Sequence, residues 1–326
     1  TNEFSKLSES EFQGLLGDLL ANPGRQIVGH LIFMTLSASI VIKGVSDGLE
    51  KWSKILMPTL FVMLIGLLIY CVTLDGFGPA LAFMFQPDTS AISANGVVEA
   101  MGQAFFSLSL GMGAIITYGS YLQKDTNILK LSITVAALDT FMAILAGIII
   151  FSIVFSFNLD PAAGPGLIFV TLPTLFSKLD GGYFIAIVFF LLITFAALTS
   201  AVSILEVVVA HATDRHCIPR KKATLIIASS CALIGLLALF SNNILEHVTV
   251  FGLNFFDLFD KLTSSYLLPL GGMGISLFFG WKLGPDAVEK VVGDRSSPFA
   301  IGLLLITRWL APAAILIVFY NQSIGF

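Results

Sequence analysis

Charge is what this chain has least of. Only 12% of its 326 residues are Asp, Glu, Lys or Arg, about half the share of a soluble globular domain. A chain this poor in charge cannot cover a water-facing surface. Its 56% hydrophobic content and mean hydropathy of +0.92 place it in a membrane instead. Cysteine is scarce too: Cys71, Cys217 and Cys231 lie far apart, which gives neither a disulfide framework nor thiolate metal spacing. The four histidines, His30, His211, His216 and His247, are dispersed, so metal or haem ligation is not expected. The chain has no His-Glu-x-x-His, no Gly-x-Ser-x-Gly and no phosphate-binding loop, so no enzyme is expected. A basic nucleic-acid patch is missing, and the net charge is −4. The apolar runs do not alternate with polar residues, which excludes a transmembrane β-barrel.

What is present is a series of long apolar runs. A crossing needs roughly 20 residues. Eight spans are read: 26–42, 55–74, 99–121, 131–156, 183–212, 223–241, 256–281 and 298–320. This predicts an all-α polytopic membrane protein in contact with the lipid bilayer. Residues 1–25 are polar, show no signal peptide and read as an extracellular loop segment. Residues 26–326 read as one helical membrane domain. The loops at 43–54, 122–130, 213–222 and 282–297 hold twelve of the seventeen basic residues. By the positive-inside rule they face the cytoplasm, which places the protein in the inner (cytoplasmic) membrane with both chain ends outside. An outer hairpin-like plug is expected at about 157–182, from the turn-rich run Asp160-Pro161-Ala162-Ala163-Gly164-Pro165-Gly166.

One span is built to break. Its middle reads Phe105-Phe106-Ser107-Leu108-Ser109-Leu110-Gly111-Met112-Gly113. Each Gly in a helix interior costs roughly 1 kcal/mol relative to Ala. At membrane depth, unpaired backbone is tolerated only where it is buried in protein or lines a wet cavity. The run therefore reads in two ways. It is an interrupted helix whose ends hold ions and polar ligands, or a kinked helix whose glycines serve close packing.

Three further features stand out. Asp139 lies inside the fourth span, and ionisable residues at that depth are functional candidates by default. Thr194, Thr199, Ser200 and Ser203 cluster in the fifth span, where hydroxyl and carbonyl oxygens suit a hard cation or simply glue helices together. Glu206, nearer the interface, has a plainer explanation in water or a loop amide.

The run Gly102-Gln103-Ala104 through Tyr118 resembles the broken sixth helix of the neurotransmitter:sodium symporters. Ala196-Ala197-Leu198-Thr199-Ser200 resembles their eighth helix. Pro161 to Pro173 is similar to their fourth extracellular loop, and Phe259-Asp260-Lys261-Leu262-Thr263 to the start of their tenth helix. The resemblance implies a LeuT-type inverted-repeat helix bundle. The eight spans would be the family's helices 4 to 11, with helices 1 to 3 as missing N-terminal partners.

The same resemblance implies a site. Phe106, Ser107, Ser109, Met112, Ser200 and Ile204 would line the substrate pocket. Ser107, Asp139, Ala196, Thr199 and Ser200 would hold sodium. Asp260 and Asp214 would be the acids of the outer and inner gates. Gly48 and Pro58, together with Gly111 and Gly113, would act as hinges. The implied activity is sodium-coupled symport of a small neutral, hydrophobic amino acid. Chloride is not expected, because Asp139 supplies the negative charge and Ala143 cannot. The alternatives are a channel or receptor-like protein on the same scaffold, or a fragment inactive without helix 1.

Overall fold

The computed structural model describes residues 9–86, 93–123, 125–157, 167–294 and 296–324. In chain order the helices are α1 (Glu9–Ala21), α2 (Pro23–Ile42), α3 (Lys51–Cys71), α4 (Phe77–Phe85), α5 (Ala94–Ser107), α6 (Ala114–Ser120), α7 (Ile128–Ser156) and α8 (Leu172–Lys178). They continue as α9 (Gly182–His216), α10 (Arg220–Phe240), α11 (Phe255–Lys261), α12 (Leu268–Leu277), α13 (Gly284–Val292), α14 (Pro298–Leu305) and α15 (Ala311–Ile324). π-helical turns join several of them, at Val45–Glu50, Leu167–Thr171, Leu262–Leu267, Phe278–Leu283 and Ile306–Leu310. Among the described residues there is only an isolated bridge between Val250 and Leu253 and no strand.

Local chemistry sets where helices start. Asn22 caps α2 by accepting from Arg25 N at 3.1 Å, with Pro23 at the first helical position. Ser93 caps α5 through Gly96 N at 3.0 Å, and Ser297 caps α14 through Ala300 N at 3.1 Å. Asn254 does the same for α11 through Asp257 N at 2.8 Å.

Seven continuous helical stretches among the described residues are long and apolar enough to cross a membrane. The eighth expected span, 99–121, is divided between α5 and α6. Helices α7 and α9 have 29 and 35 residues. At 1.5 Å per residue they are about 44 and 52 Å long, longer than a ~30 Å hydrocarbon core. The segment before residue 26 contains α1. Of the expected outer hairpin, 158–166 lie outside the described residues, and 167–178 are helical.

The chain gathers into two compact units. The first draws on Thr1–Pro87 and Met142–Thr249, the second on Asp88–Phe141 and Val250–Phe326. The first has an apolar core of Leu64, Leu67 and Cys71 from α3, Ile149 and Ile153 from α7, Leu172 and Phe176 from α8, and Ile185 and Phe189 from α9. Here α2 approaches α10 closely. His30 Nε2 lies 3.0 Å from Ala232 O, and a Cβ on Gly235 would sit only 2.8 Å from the His30 ring. In the second unit α12 packs on α15, and α13 on α14.

Candidate functional site

The second unit contains the broken helix. Helix α5 stops at Ser107 and α6 starts at Ala114. Between them Ser109, Gly111 and Gly113 take φ of +53°, +88° and +81°, a left-handed region that glycine enters freely and serine seldom does. The regular ladder gives way to Ser109 N–H donating to Phe106 O at 2.9 Å and Leu110 N–H to Phe105 O at 3.0 Å. The break lies where Gly and Ser cluster in the sequence.

Glycine is required there for a second reason. The broken segment lies against α12, backbone to backbone. A Cβ on Gly111 would overlap Leu268 O, and one on Gly272 would overlap the Phe105 ring. A Cβ on Gly271 would come within 2.5 Å of Gly111 O. The run Leu270-Gly271-Gly272-Met273-Gly274 therefore gives α12 a face without side chains at this level. The helix is interrupted, and its glycines also serve close packing.

Ser107, the last residue of α5, donates from Oγ to Asp139 Oδ2 of α7 at 2.7 Å. Two residues 32 apart in the chain thus meet at the edge of the break. Ser107 is exposed and Asp139 half-buried. Nearby, Ser109 and Met112 are half-buried, while Phe106 is exposed. Asp260 of α11 faces a cavity of about 330 Å³ that Glu99, Gln103, Phe106 and Ser264 also line.

The first unit holds the other expected oxygens on one helix. In α9, Ala196, Thr199, Ser200, Ser203 and Ile204 follow the 3–4 spacing of a single helical face. Thr199 Oγ1 donates to Ala196 O at 2.8 Å, and Ser203 Oγ to Thr199 O at 2.9 Å. The Ser200 hydroxyl is exposed and has no hydrogen-bond partner among the described residues. Ile204 is exposed as well. Asp214 stands exposed in the last turn of α9. Among the described residues, neither Asp214 nor Asp260 forms a salt bridge.

Gly48 lies inside the π-helical turn that precedes α3, and a Cβ there would overlap Ile40 O. Pro58 lies within α3. Gly44, with φ +89°, turns the chain between α2 and that π-helical turn.

Sequence reasoning missed a clamp in the first unit. Glu206, fully buried in α9, is ion-paired with Arg220 at the start of α10. Arg220 Nε also donates to Val41 O at 2.9 Å, so one guanidinium joins α9, α10 and the end of α2. Arg220 reads in sequence as one more basic loop residue. The signal for the clamp was the acid placed inside an apolar helix.

An interrupted helix with a Ser–Asp pair at its edge, in a chain of long apolar helices, is the pattern of a membrane protein of the broken-helix type. The comparisons with known proteins agree. The model of the sodium:neurotransmitter symporter family matches residues 9–326. An uncharacterized sodium-dependent transporter of Haemophilus influenzae is 36% identical over 302 residues, covering 92% of this chain and 66% of its own length. The sodium-dependent transporter YhdH of Bacillus subtilis is 34% identical over 324 residues, covering 98% of this chain and 72% of its own length. The crystal structure of MhsT in complex with L-phenylalanine superposes with a TM-score of 0.86 at 44% identity, covering 98% of this chain and 73% of that one. The chain belongs to the sodium:neurotransmitter symporter family and has its LeuT-type fold. The family is one of secondary transporters rather than enzymes. The chain spans about two thirds of the length of the Haemophilus relative.

Proposed function

We propose that the full-length protein is a sodium-coupled symporter that takes up a small neutral, hydrophobic amino acid by alternating access. The observation that carries this reading is the break at 108–113 with the Ser107–Asp139 pair at its edge. Backbone groups freed by a break are what an ion or a zwitterion needs at membrane depth. The relatives' names support sodium as the coupling ion. The MhsT complex with L-phenylalanine supports a hydrophobic amino acid.

In this proposal Ser107 and Asp139 serve one sodium ion, and the Ala196 carbonyl with the Thr199 and Ser200 hydroxyls serves a second. Such an all-oxygen donor set suits a hard cation. Phe106, Ser107, Ser109, Met112, Ser200 and Ile204 are the substrate-binding residues of this reading; Met adapts to apolar side chains of different shapes. Asp260 and Asp214 act at the outer and inner gates, and Gly48, Pro58, Gly111 and Gly113 allow the backbone to rearrange. The protein works without chloride, Asp139 providing the negative charge. It lies in the cytoplasmic membrane with the basic loops inside and both ends of this chain outside. Residues 26–326 act as one transport domain, completed by helices that this chain does not contain.

The test is uptake of labelled amino acids into proteoliposomes under an inward sodium gradient. Accumulation that collapses when the gradient is dissipated is expected. A sodium current independent of any amino acid would instead indicate a channel.

A further inference from the structure

Arg308 is the one charged residue in the apolar stretch Pro298–Asn321. A guanidinium in hydrocarbon is costly unless it finds partners or reaches the headgroups. Its surroundings, all in the second unit, are specific. Arg308 Nε donates to Gly280 O at 2.7 Å. Gly280 leaves the room, since a Cβ there would lie 3.0 Å from Arg308 Cγ. The guanidinium carbon lies 5.6 Å from the centroid of the Trp281 ring, within cation–π range. Trp281 Nε1 donates back to Arg308 O at 3.3 Å. Trp309 meets Trp281 edge to face at 5.0 Å.

This arrangement fixes the guanidinium but uses one of its five N–H donors. Among the described residues, its two terminal nitrogens have no hydrogen-bond partner. Neither Arg308 nor the neighbouring exposed Lys282 forms a salt bridge there. Trp281 and Trp309 are 54% and 61% exposed, and Phe278 and Leu310 beside them are exposed too.

The neighbours set the level of the group in the bilayer. Gly284, with φ +58°, turns the chain into α13, where the charged Asp286, Glu289 and Lys290 are exposed. Helix α13 pairs with α14, and the π-helical turn Phe278–Leu283 pairs with Ile306–Leu310. Arg308 therefore stands level with Trp281 and Lys282, where the apolar span meets the polar helix. Tryptophan and basic side chains gather at that depth, next to lipid phosphates.

We propose that Arg308 and Lys282, with Trp281 and Trp309 as platform, seat the phosphate of an anionic glycerophospholipid, its acyl chains lying against Phe278 and Leu310. Arg308 held beside an exposed indole, and exposed Lys282 next to Trp281 in the chain, have no carboxylate partner among the described residues and complement an anionic headgroup on an apolar tail. The orientation proposed above would make this the cytoplasmic leaflet; the test reads lipid contact in either leaflet.

The test uses the full-length protein with every tryptophan except Trp281 and Trp309 changed to Phe. It is reconstituted in phosphatidylcholine containing increasing brominated phosphatidylglycerol, and compared with brominated phosphatidylcholine. Bromine quenches indole fluorescence on contact, so the curves give the relative affinity of the two lipids. A preference for phosphatidylglycerol of about 5-fold or more is expected, since one basic group near an anionic surface contributes about that much. It should fall to about 1 in Arg308→Gln, fall partly in the surface variant Lys282→Gln, and be unchanged by added inorganic phosphate. Equal quenching by both lipids, or a preference that survives Arg308→Gln combined with Lys282→Gln, overturns the proposal. So does loss of the preference on adding inorganic phosphate, which would make the ligand a free anion. Absence of quenching by either lipid also overturns it, because protein would then cover the indoles. If Arg308→Gln fails to fold, Lys282→Gln decides. Sodium-driven uptake by the wild type tests the transport reading separately.

Discussion

At the residue scale the candidate ion chemistry is all oxygen. In α9 the Thr199 hydroxyl gives its proton to Ala196 O, which leaves the Thr199 oxygen lone pairs available to a cation. The Ser200 hydroxyl has no competing partner among the described residues. Thr199→Ala with Ser200→Ala removes two such donors without changing the helix, so sodium affinity should fall at least about 10-fold, roughly the 1.4 kcal/mol of one charge-assisted contact. Sodium titration of uptake measures this, and an unchanged half-saturating concentration would remove these hydroxyls from the site. Asp139 makes a different prediction. Uptake by the wild type should persist when gluconate replaces chloride, and Asp139→Asn should lose that activity. Strict chloride dependence of the wild type would overturn the assignment, as would full activity of the Asn variant without chloride.

At the element scale two devices hold the helices in place, and each predicts a stability change. Gly111 combines φ +88° with backbone contact to Leu268. Gly111→Ala adds conformational strain and overlap, and each such effect costs about 1–3 kcal/mol. A clear drop in unfolding temperature in detergent is expected, and an unchanged midpoint would mean that the segment does not sit on α12. The Glu206–Arg220 pair is the second device. Glu206→Gln leaves the Arg220 guanidinium without its counter-charge, and breaking a buried pair in this way costs about 3–5 kcal/mol. Replacing both residues with apolar ones of similar size should restore much of the loss, and a double variant as unstable as Glu206→Gln would contradict the pairing. How much of this was legible follows from the range of each signal. The break was readable because Ser109, Gly111 and Gly113 are neighbours in the chain and express a local backbone preference. The run of long apolar helices was readable because crossing length is a local property too. The contact of Ser107 with Asp139 was suggested by family resemblance, not by spacing. Glu206 was a visible sign of a clamp, but its pairing with Arg220 was not, because the partners of Arg220 lie 14 and 179 positions away. The slot for Phe105 at Gly272 is a packing fact between distant segments, and no single-sequence pattern encodes it. Helix α1 was missed because its 13 residues fall short of a membrane crossing.

At the scale of the whole molecule, family membership rests on a match from residue 9 to 326 and on the superposition with MhsT. The transport reading joins that membership to the interrupted helix and its oxygen-lined edge. It makes one demand that neither a channel nor a receptor shares: the sodium gradient must drive a neutral amino acid uphill. The most direct measurement is accumulation of labelled L-phenylalanine or L-leucine in proteoliposomes of the full-length protein, with sodium outside and potassium inside. Accumulation above the outside concentration is predicted, abolished by equal sodium on both sides, competed by neutral hydrophobic amino acids and indifferent to glutamate or lysine. Uptake that merely equilibrates, is unaffected by the sodium gradient, or favours an acidic or basic amino acid over every neutral one would contradict the account.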